Sequence, residues 1–261
     1  MSPPHAAATW RSARWGLALG GLLALLTQAP AHWLGAAISG LTGQRLQFQE
    51  TAGTVWQGSA RWVLANEVGH SALPGRVYWQ LQPRVDAGLN WQLRADCCTP
   101  QPLSGELHTL WRGVRVTLDD RTSNWPAAWL QGLGAPWNTV QPQGRLQLTT
   151  QQLRWQWQAG QAQLQGRAEL LMQQLATQLS TLRPLGSYRV LVQGGDTIRL
   201  ELSTLEGALR LSGQGQWQAQ RLRFRGEASA QPEYEATLSN LLNVLGQRQG
   251  TKSVLEIGGS S

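Results

Sequence analysis

Few side chains in this sequence could do chemistry, and none is spaced for it. There are four histidines. His5 and His32 lie before or within an apolar N-terminal run, which leaves His70 and His108. Neither belongs to an H-E-x-x-H pair, whose spacing puts two metal ligands on one helix face, and no Gly-x-Ser-x-Gly turn offers a nucleophile. Asp119 and Asp120 are the only adjacent carboxylates. They follow a strand-like run and precede Arg121, which reads as a solvated turn. Gly213-Gln214-Gly215-Gln216 begins like a dinucleotide fingerprint, but the third glycine is missing and the run continues as a strand rather than a helix.

Cys97 and Cys98 are the two cysteines. Disulfide geometry prefers Cα atoms about 5.5 Å apart, and adjacent residues sit about 3.8 Å apart. A strained vicinal bond, an intermolecular bridge and two free thiols are all open. No zinc-ligand spacing surrounds the pair. No catalytic, cofactor-binding or metal-binding set emerges. The expectation is a non-enzymatic protein with no cofactor and no small-molecule substrate.

The formal net charge is +7, from 22 basic against 15 acidic residues. That excess points to an anionic partner such as lipid head groups, or to solubility alone. The basic residues, nearly all Arg, are scattered singly. A nucleic-acid binder would show a basic face and a motif, so nucleic acid is not an expected partner. Arg221, Arg223 and Arg225 alternate with Leu222 and Phe224, which sets three charges on one strand face. They are candidate anionic contacts; the plainer reading is a charged edge that discourages strand addition.

The elements that hold these residues begin with an apolar stretch. Trp15 to Leu41 contains no Asp, Glu, Lys or Arg, and Arg11 and Arg14 precede it. Trp15 to Leu34 has the length of a spanning helix, roughly 20 residues. Trp15 and Trp33 fall where interfacial aromatic residues belong, and the arginines hold the N-terminus on the cytoplasmic side. The expected organisation is a cytoplasmic tail at 1-14, a transmembrane anchor at 15-35 and a β-rich domain at 36-261 on the far side. The alternatives are a buried core helix and a signal peptide cleaved at Ala29-Pro30-Ala31. The apolar residues that continue past that site, among them Trp33, Leu34, Ile38 and Leu41, favour the uncleaved anchor.

Beyond residue 42, apolar and polar residues swap with a period of two, the mark of strands with one buried face. Leu46 and Phe48 open the series; Trp62, Trp79, Trp91, Val116, Leu148, Trp155, Val190, Leu200, Leu211 and Phe224 carry it on. The expected fold is mainly β, an antiparallel β-meander with a few short helices. Helices are expected at Trp125 to Leu133, at Leu171 to Leu182 before Pro184, and at Pro232 to Arg248. In the last, Leu238, Leu241, Leu242 and Leu245 recur at i, i+3, i+4 and i+7, an amphipathic face to pack on the sheet. Two halves, 42-133 and 134-261, each run from strands into a short helix, though no repeat period enforces a duplication.

Two prolines and two glycines mark Leu133 to Gly144 as an irregular loop, with Trp137 expected in the core rather than offered to a partner. Trp56, between Val55 and Gly58, is also expected to be buried. Gly53 to Ala60, Gly134 to Gly144, Arg183 to Tyr188, Phe224-Arg225-Gly226-Glu227-Ala228 and Leu238-Ser239-Asn240-Leu241-Leu242-Asn243 follow one another in an order that resembles the type II secretion system protein N (general secretion pathway protein N) family. The likeness covers nearly the whole chain, and none of its motifs is catalytic. Cys97-Cys98 is not part of the family pattern.

The resemblance implies a single-pass bacterial inner-membrane protein with a periplasmic domain. It implies a place in the envelope machine that exports folded proteins across the outer membrane. Expected partners are other inner-membrane or periplasmic components of that machine, and the lipid bilayer. Candidate partner-binding or structural residues are Trp56, Gly58, Pro136, Trp137, Asn138, Gln141, Pro142, Gly144, Pro184, Gly186 and Tyr188. The rival expectation is an envelope lipid-handling protein, whose β-groove would take acyl chains.

Overall fold

The two-residue alternation becomes sixteen strands in one antiparallel sheet. The structure, a computed structural model, describes residues 14–17, 20, 21, 27–67, 69–218 and 221–258. The first strands are β1 (Leu46–Gly53), β2 (Gln57–Ala65), β3 (His70–Ala72), β4 (Val77–Pro83), β5 (Gly88–Ala95), β6 (Leu103–Leu110), β7 (Gly113–Leu118) and β8 (Thr122–Pro126). Two 16-residue strands follow, β9 (Gln143–Gln158) and β10 (Gln161–Ala176). The rest are β11 (Gly186–Gln193), β12 (Ile198–Gly207), β13 (Leu209–Gln218), β14 (Arg221–Ala230), β15 (Gln247–Gln249) and β16 (Lys252–Ile257).

Neighbours along the chain are mostly neighbours in the sheet, so the strands run up and down. The lower part of β9 pairs with β7 and its upper part with β8. The sheet therefore passes without a break across residues 133 and 134, the boundary between the two expected halves. β16, after the last helix, returns to pair with β14; this closing hairpin was not foreseen in the sequence.

The register gives the sheet one apolar face. Phe48 pairs with Trp62, Trp79 with Leu93, Val116 with Trp155, Leu170 with Val190, and Trp217 with Leu222. The opposite face carries Gln, Arg and Glu, as in Arg199 with Gln216 and Arg225 with Glu256. The two ends of the strands also differ. At one, the turn end, residues 54–56, 84–87, 111–112, 159–160 and 194–197 make short connections. At the other, the cap end, the longest connections, 127–142, 177–185 and 231–246, fold over the apolar face.

Three covers bury that face. Helix α1 (Ala31–Leu41) lies on β1 and β2, where Ala31 joins Ala60 and Trp79 in a buried cluster. A 3-10 helix (Ala127–Leu133) packs on β2, β3 and β9. Gly132 allows its approach, since a Cβ there would stand 2.4 Å from the Leu64 carbonyl oxygen. Helix α3 (Glu235–Leu245) buries Leu238, Leu241 and Leu242 against Tyr188, Leu209 and Ala228. Its spacing supplies that stripe, and Glu235 in the first turn suits the helix dipole.

Several expected boundaries move. Leu171 to Ala176 end β10 instead of starting a helix, because pairing with β9 and β11 on both sides outweighs local propensity. Thr177 to Pro184 form an irregular crossing tied by Thr177 and Ser180 hydroxyls, which accept from Leu179 N and Leu182 N at 3.2 and 3.1 Å. The helix expected from Trp125 begins only at Ala127, since Trp125 and Pro126 still pair with Leu146 and Arg145. The helix expected to reach Arg248 stops at Leu245, and Arg248 lies in β15.

At the N-terminus, residues 14–17, 20, 21 and 27 are helical and exposed. Residues 18, 19 and 22–26 of the expected anchor and most of the tail, residues 1–13, lie outside the described residues. Among the described residues no helix is long and apolar enough to cross a membrane. Within the expected anchor, Ala31 and Gly35 are buried in α1. Cys97 and Cys98 are bonded to each other, with Cα atoms 3.7 Å apart.

Candidate partner-binding surfaces

The residues singled out in the sequence divide into those that build the sheet and those that face outward. Gly58 is a builder. It pairs with Trp79 across β2 and β4, and a Cβ at 58 would stand 2.5 Å from the Trp79 ring. Trp79 is therefore the buried indole of this region, 5 % exposed, and its Nε1 donates to the Val55 carbonyl oxygen at 3.0 Å. Trp56, expected in the core, is only half-buried, because its turn position at the end of β1 lacks a covering element.

Gly186 and Tyr188 are builders too. A Cβ on Gly186 would meet the Glu206 carbonyl oxygen at 2.5 Å and the Tyr188 hydroxyl at 2.9 Å. Tyr188 is 1 % exposed, and its hydroxyl donates to the Leu209 carbonyl oxygen at 3.0 Å. Burial pushes that hydroxyl well above its usual pKa. Pro184, just before, is exposed.

The loop from Gly134 to Gly144 is fastened at its β9 end. A one-turn helix, α2 (Trp137–Val140), replaces the expected irregular backbone, and Gln141 closes it in the left-handed region at φ 46°. The Thr177 hydroxyl donates to the Val140 carbonyl oxygen, which joins this loop to the β10–β11 crossing. Pro142 is buried. Gly144, at φ +128°, has the Gln173 carbonyl oxygen 2.8 Å from where a Cβ would be. Asn138 is half-buried, while Pro136 and Trp137 face outward. Trp137, expected in the core, is 38 % exposed; a four-residue helix is too short to bury one face against the sheet.

Arg221, Arg223 and Arg225 are exposed along β14. From Phe224 onward β14 lies between β13 and β16, so Arg225 is not on an edge. Gln216 and Gln214 stand opposite Arg223 and Arg225, and Arg225 meets Glu256 at 3.6 Å in an exposed ion pair. Arg199, Arg223 and Arg225, with Glu201 and Glu256, line an open cleft of about 760 Å³. Its mixed charges give no focused anion site.

The carboxylates and His108 make local structural contacts. The Ser104 hydroxyl donates to Asp119, and Asp120 accepts from Gln152 N at 2.5 Å. Gln152 is the left-handed residue at the bulge between β9 and β10, so the acidic pair holds the point where β9 changes partner. His108 meets Glu106 at 3.0 Å. Arg84 donates to both Asp86 oxygens at 3.1 Å and holds that carboxyl below its usual range. Among the described residues no three or more of His, Cys, Asp and Glu gather where they could hold a metal ion.

One outward feature had no signal in the sequence. Trp111, Trp155, Trp157 and Trp217 are exposed at or near the turn end. Alternation marks a face as apolar but does not say which part of it the covers reach.

No curated protein and no solved structure matches this chain. The family model for type II secretion system (T2SS), protein N matches residues 44–254. The match runs from just before β1 into β16 and takes in the sheet with the helices that cover it after α1. On that match the chain belongs to the type II secretion system protein N family.

Proposed function

We propose that this chain is a non-enzymatic, inner-membrane-anchored component of the type II secretion system, its sheet lying in the periplasm and docking to other parts of the machine. The observation that carries this reading is the family match over residues 44–254. Arg14 before the apolar run supports a cytoplasmic N-terminus. The Gly134–Gly144 loop is the docking element we favour. Its end toward β9 is held by buried Pro142 and by the Thr177 hydroxyl on Val140, while Trp137 is partly exposed. A rigidly held aromatic side chain loses little entropy on binding.

Deletion of the gene tests the proposal. The expected result is less folded exoprotein outside the cell and its accumulation in the periplasm. Normal secretion, together with a detergent-sensitive outer membrane and acyl chains on the purified protein, would replace this reading with lipid handling in a β-groove.

A further inference from the structure

The covers reach the apolar face of the sheet only from the cap end and, through α1, at β1. At the turn end, away from α1, no helix among the described residues covers that face. Trp157 lies one residue before the end of β9 and is 43 % exposed; Trp217, one before the end of β13, is 44 % exposed. Trp111 and Val85 protrude from two of the turns, at 87 % and 110 %. Among described residues beyond 42, every exposed Trp except Trp137 belongs to this end or borders it.

The N-terminal run joins the domain at the same end. Val55 N donates to the Ala29 carbonyl oxygen at 2.8 Å, and Pro30 bridges to Thr54 in the first turn. The uncharged run between Arg14 and Ala29 is short. Trp15 to Gln28 is 14 residues, about 21 Å as a helix at 1.5 Å per residue. The hydrocarbon core of a bilayer is about 30 Å thick. Were the run helical across the core, it would leave Ala29, and the turns beside it, at the depth of the head groups or below.

The charges agree with that depth. Arg112 in a turn, and Arg199, Arg221 and Arg223 near strand starts, have no ion pair among the described residues. Asp86 in the β4–β5 turn is held by Arg84. Asp196 is the one acidic residue of these turns outside such a pair, and Glu201 stands near Arg199 and Arg223 in the open cleft. Trp is favoured at the membrane interface, where its ring meets chain and head group together, and arginine is drawn to anionic lipid.

We propose that the turn end of the sheet seats in the surface of the bilayer that holds the N-terminal run, with Trp111, Trp157 and Trp217 at head-group level. The arginines of that end lie against anionic lipid. The sheet then stands upright on the membrane, with the cap end and Trp137 farthest from it. This rests on the anchored reading above.

The full chain, reconstituted in vesicles of phosphatidylethanolamine and phosphatidylglycerol, tests it. Single cysteines replace Val85, Trp111 or, at the cap end, Glu233. Each is labelled with an environment-sensitive dye without reductant, so that the Cys97–Cys98 bond stays closed. The expected result is that lipid-borne quenchers reduce emission from the first two positions several-fold more than from position 233. Equal quenching at all three positions, with the protein still floating with the vesicles, overturns the docking and leaves the anchor standing. Failure to float removes the anchor and the docking with it. Shielding of positions 85 and 111 from water with energy transfer between labelled copies, and no lipid quenching, overturns the bilayer in favour of a second copy of this chain.

Discussion

The Trp79 indole donates to the Val55 carbonyl oxygen at 3.0 Å, across the room left by Gly58. One hydrogen bond thus fixes the first turn against β4, and the ring closes the cluster of Ala31, Ala60 and Phe48. Trp79→Ala should cost ~3–5 kcal/mol, as other large-to-small core changes do. Trp56→Ala, at a half-buried turn position, should cost less than half as much. Denaturant midpoints of the two variants, followed by circular dichroism, give the order. Equal losses would return Trp56 to the core.

Much of this was legible in the sequence, and the misses have physical causes. Alternation at Leu46/Phe48 or Leu200/Leu202 needs only the pleat to become a strand, and the leucine stripe of α3 needs only a helix on the sheet. The leucines of Leu171 to Ala176 fit either period, and only the two neighbouring strands decide between them. Trp56 and Trp79 sit in similar alternating runs. Which one is buried depends on α1 crossing from Ala31, a tertiary fact. Trp137 was misplaced for the converse reason: nothing local says that no layer covers it.

Two glycines with opposite surroundings give a second test. At Gly132 a Cβ would fall 2.4 Å from the Leu64 carbonyl oxygen and 2.5 Å from its Cβ. Gly132→Ala should therefore lift the 3-10 helix from β2 and destabilise by ~1–3 kcal/mol, the range for overpacking. At Gly40, within α1, nothing lies within 4 Å, and Gly40→Ala should stabilise by ~0.5–1 kcal/mol. Urea midpoints moving in the same direction for both would contradict this packing.

Tyr188 predicts a loss of stability in alkali. Below about pH 10, the usual value for tyrosine, its hydroxyl is protonated in folded and unfolded chains alike, and the buried form is at no disadvantage. Above it the unfolded chain sheds the proton while the folded one keeps it. Stability should then fall by ~1.4 kcal/mol per pH unit through this one group. Tyr188→Phe should cost ~1 kcal/mol at neutral pH for the lost hydrogen bond to Leu209. It should also unfold less steeply than the parent between pH 10 and 11. Parallel curves would show that the hydroxyl titrates freely.

Topology is checked from both ends. A reporter active only in the periplasm, fused after Ser261, should be active, and the full-length chain should fractionate with membranes. A mature protein beginning at His32 would defeat the anchor, since the charge-free run would then have served as a cleaved leader.

Trp137 separates binding from stability. Its ring is 38 % exposed on a loop whose backbone is held elsewhere, so Trp137→Ala should cost less than half of what Trp79→Ala costs, as at half-buried Trp56. If the loop is the docking element, the same change removes an aromatic anchor of the kind that dominates interfaces, worth ~2 kcal/mol or more. Secreted exoprotein should then fall several-fold while the variant's level in the membrane stays that of the parent. A photo-crosslinking residue at position 137 should capture another component of the machine, and one at the exposed Pro184 serves as the comparison. Full secretion by both Trp137→Ala and Trp137→Glu would move the docking surface off this loop, leaving the family's role in secretion to other parts of the sheet.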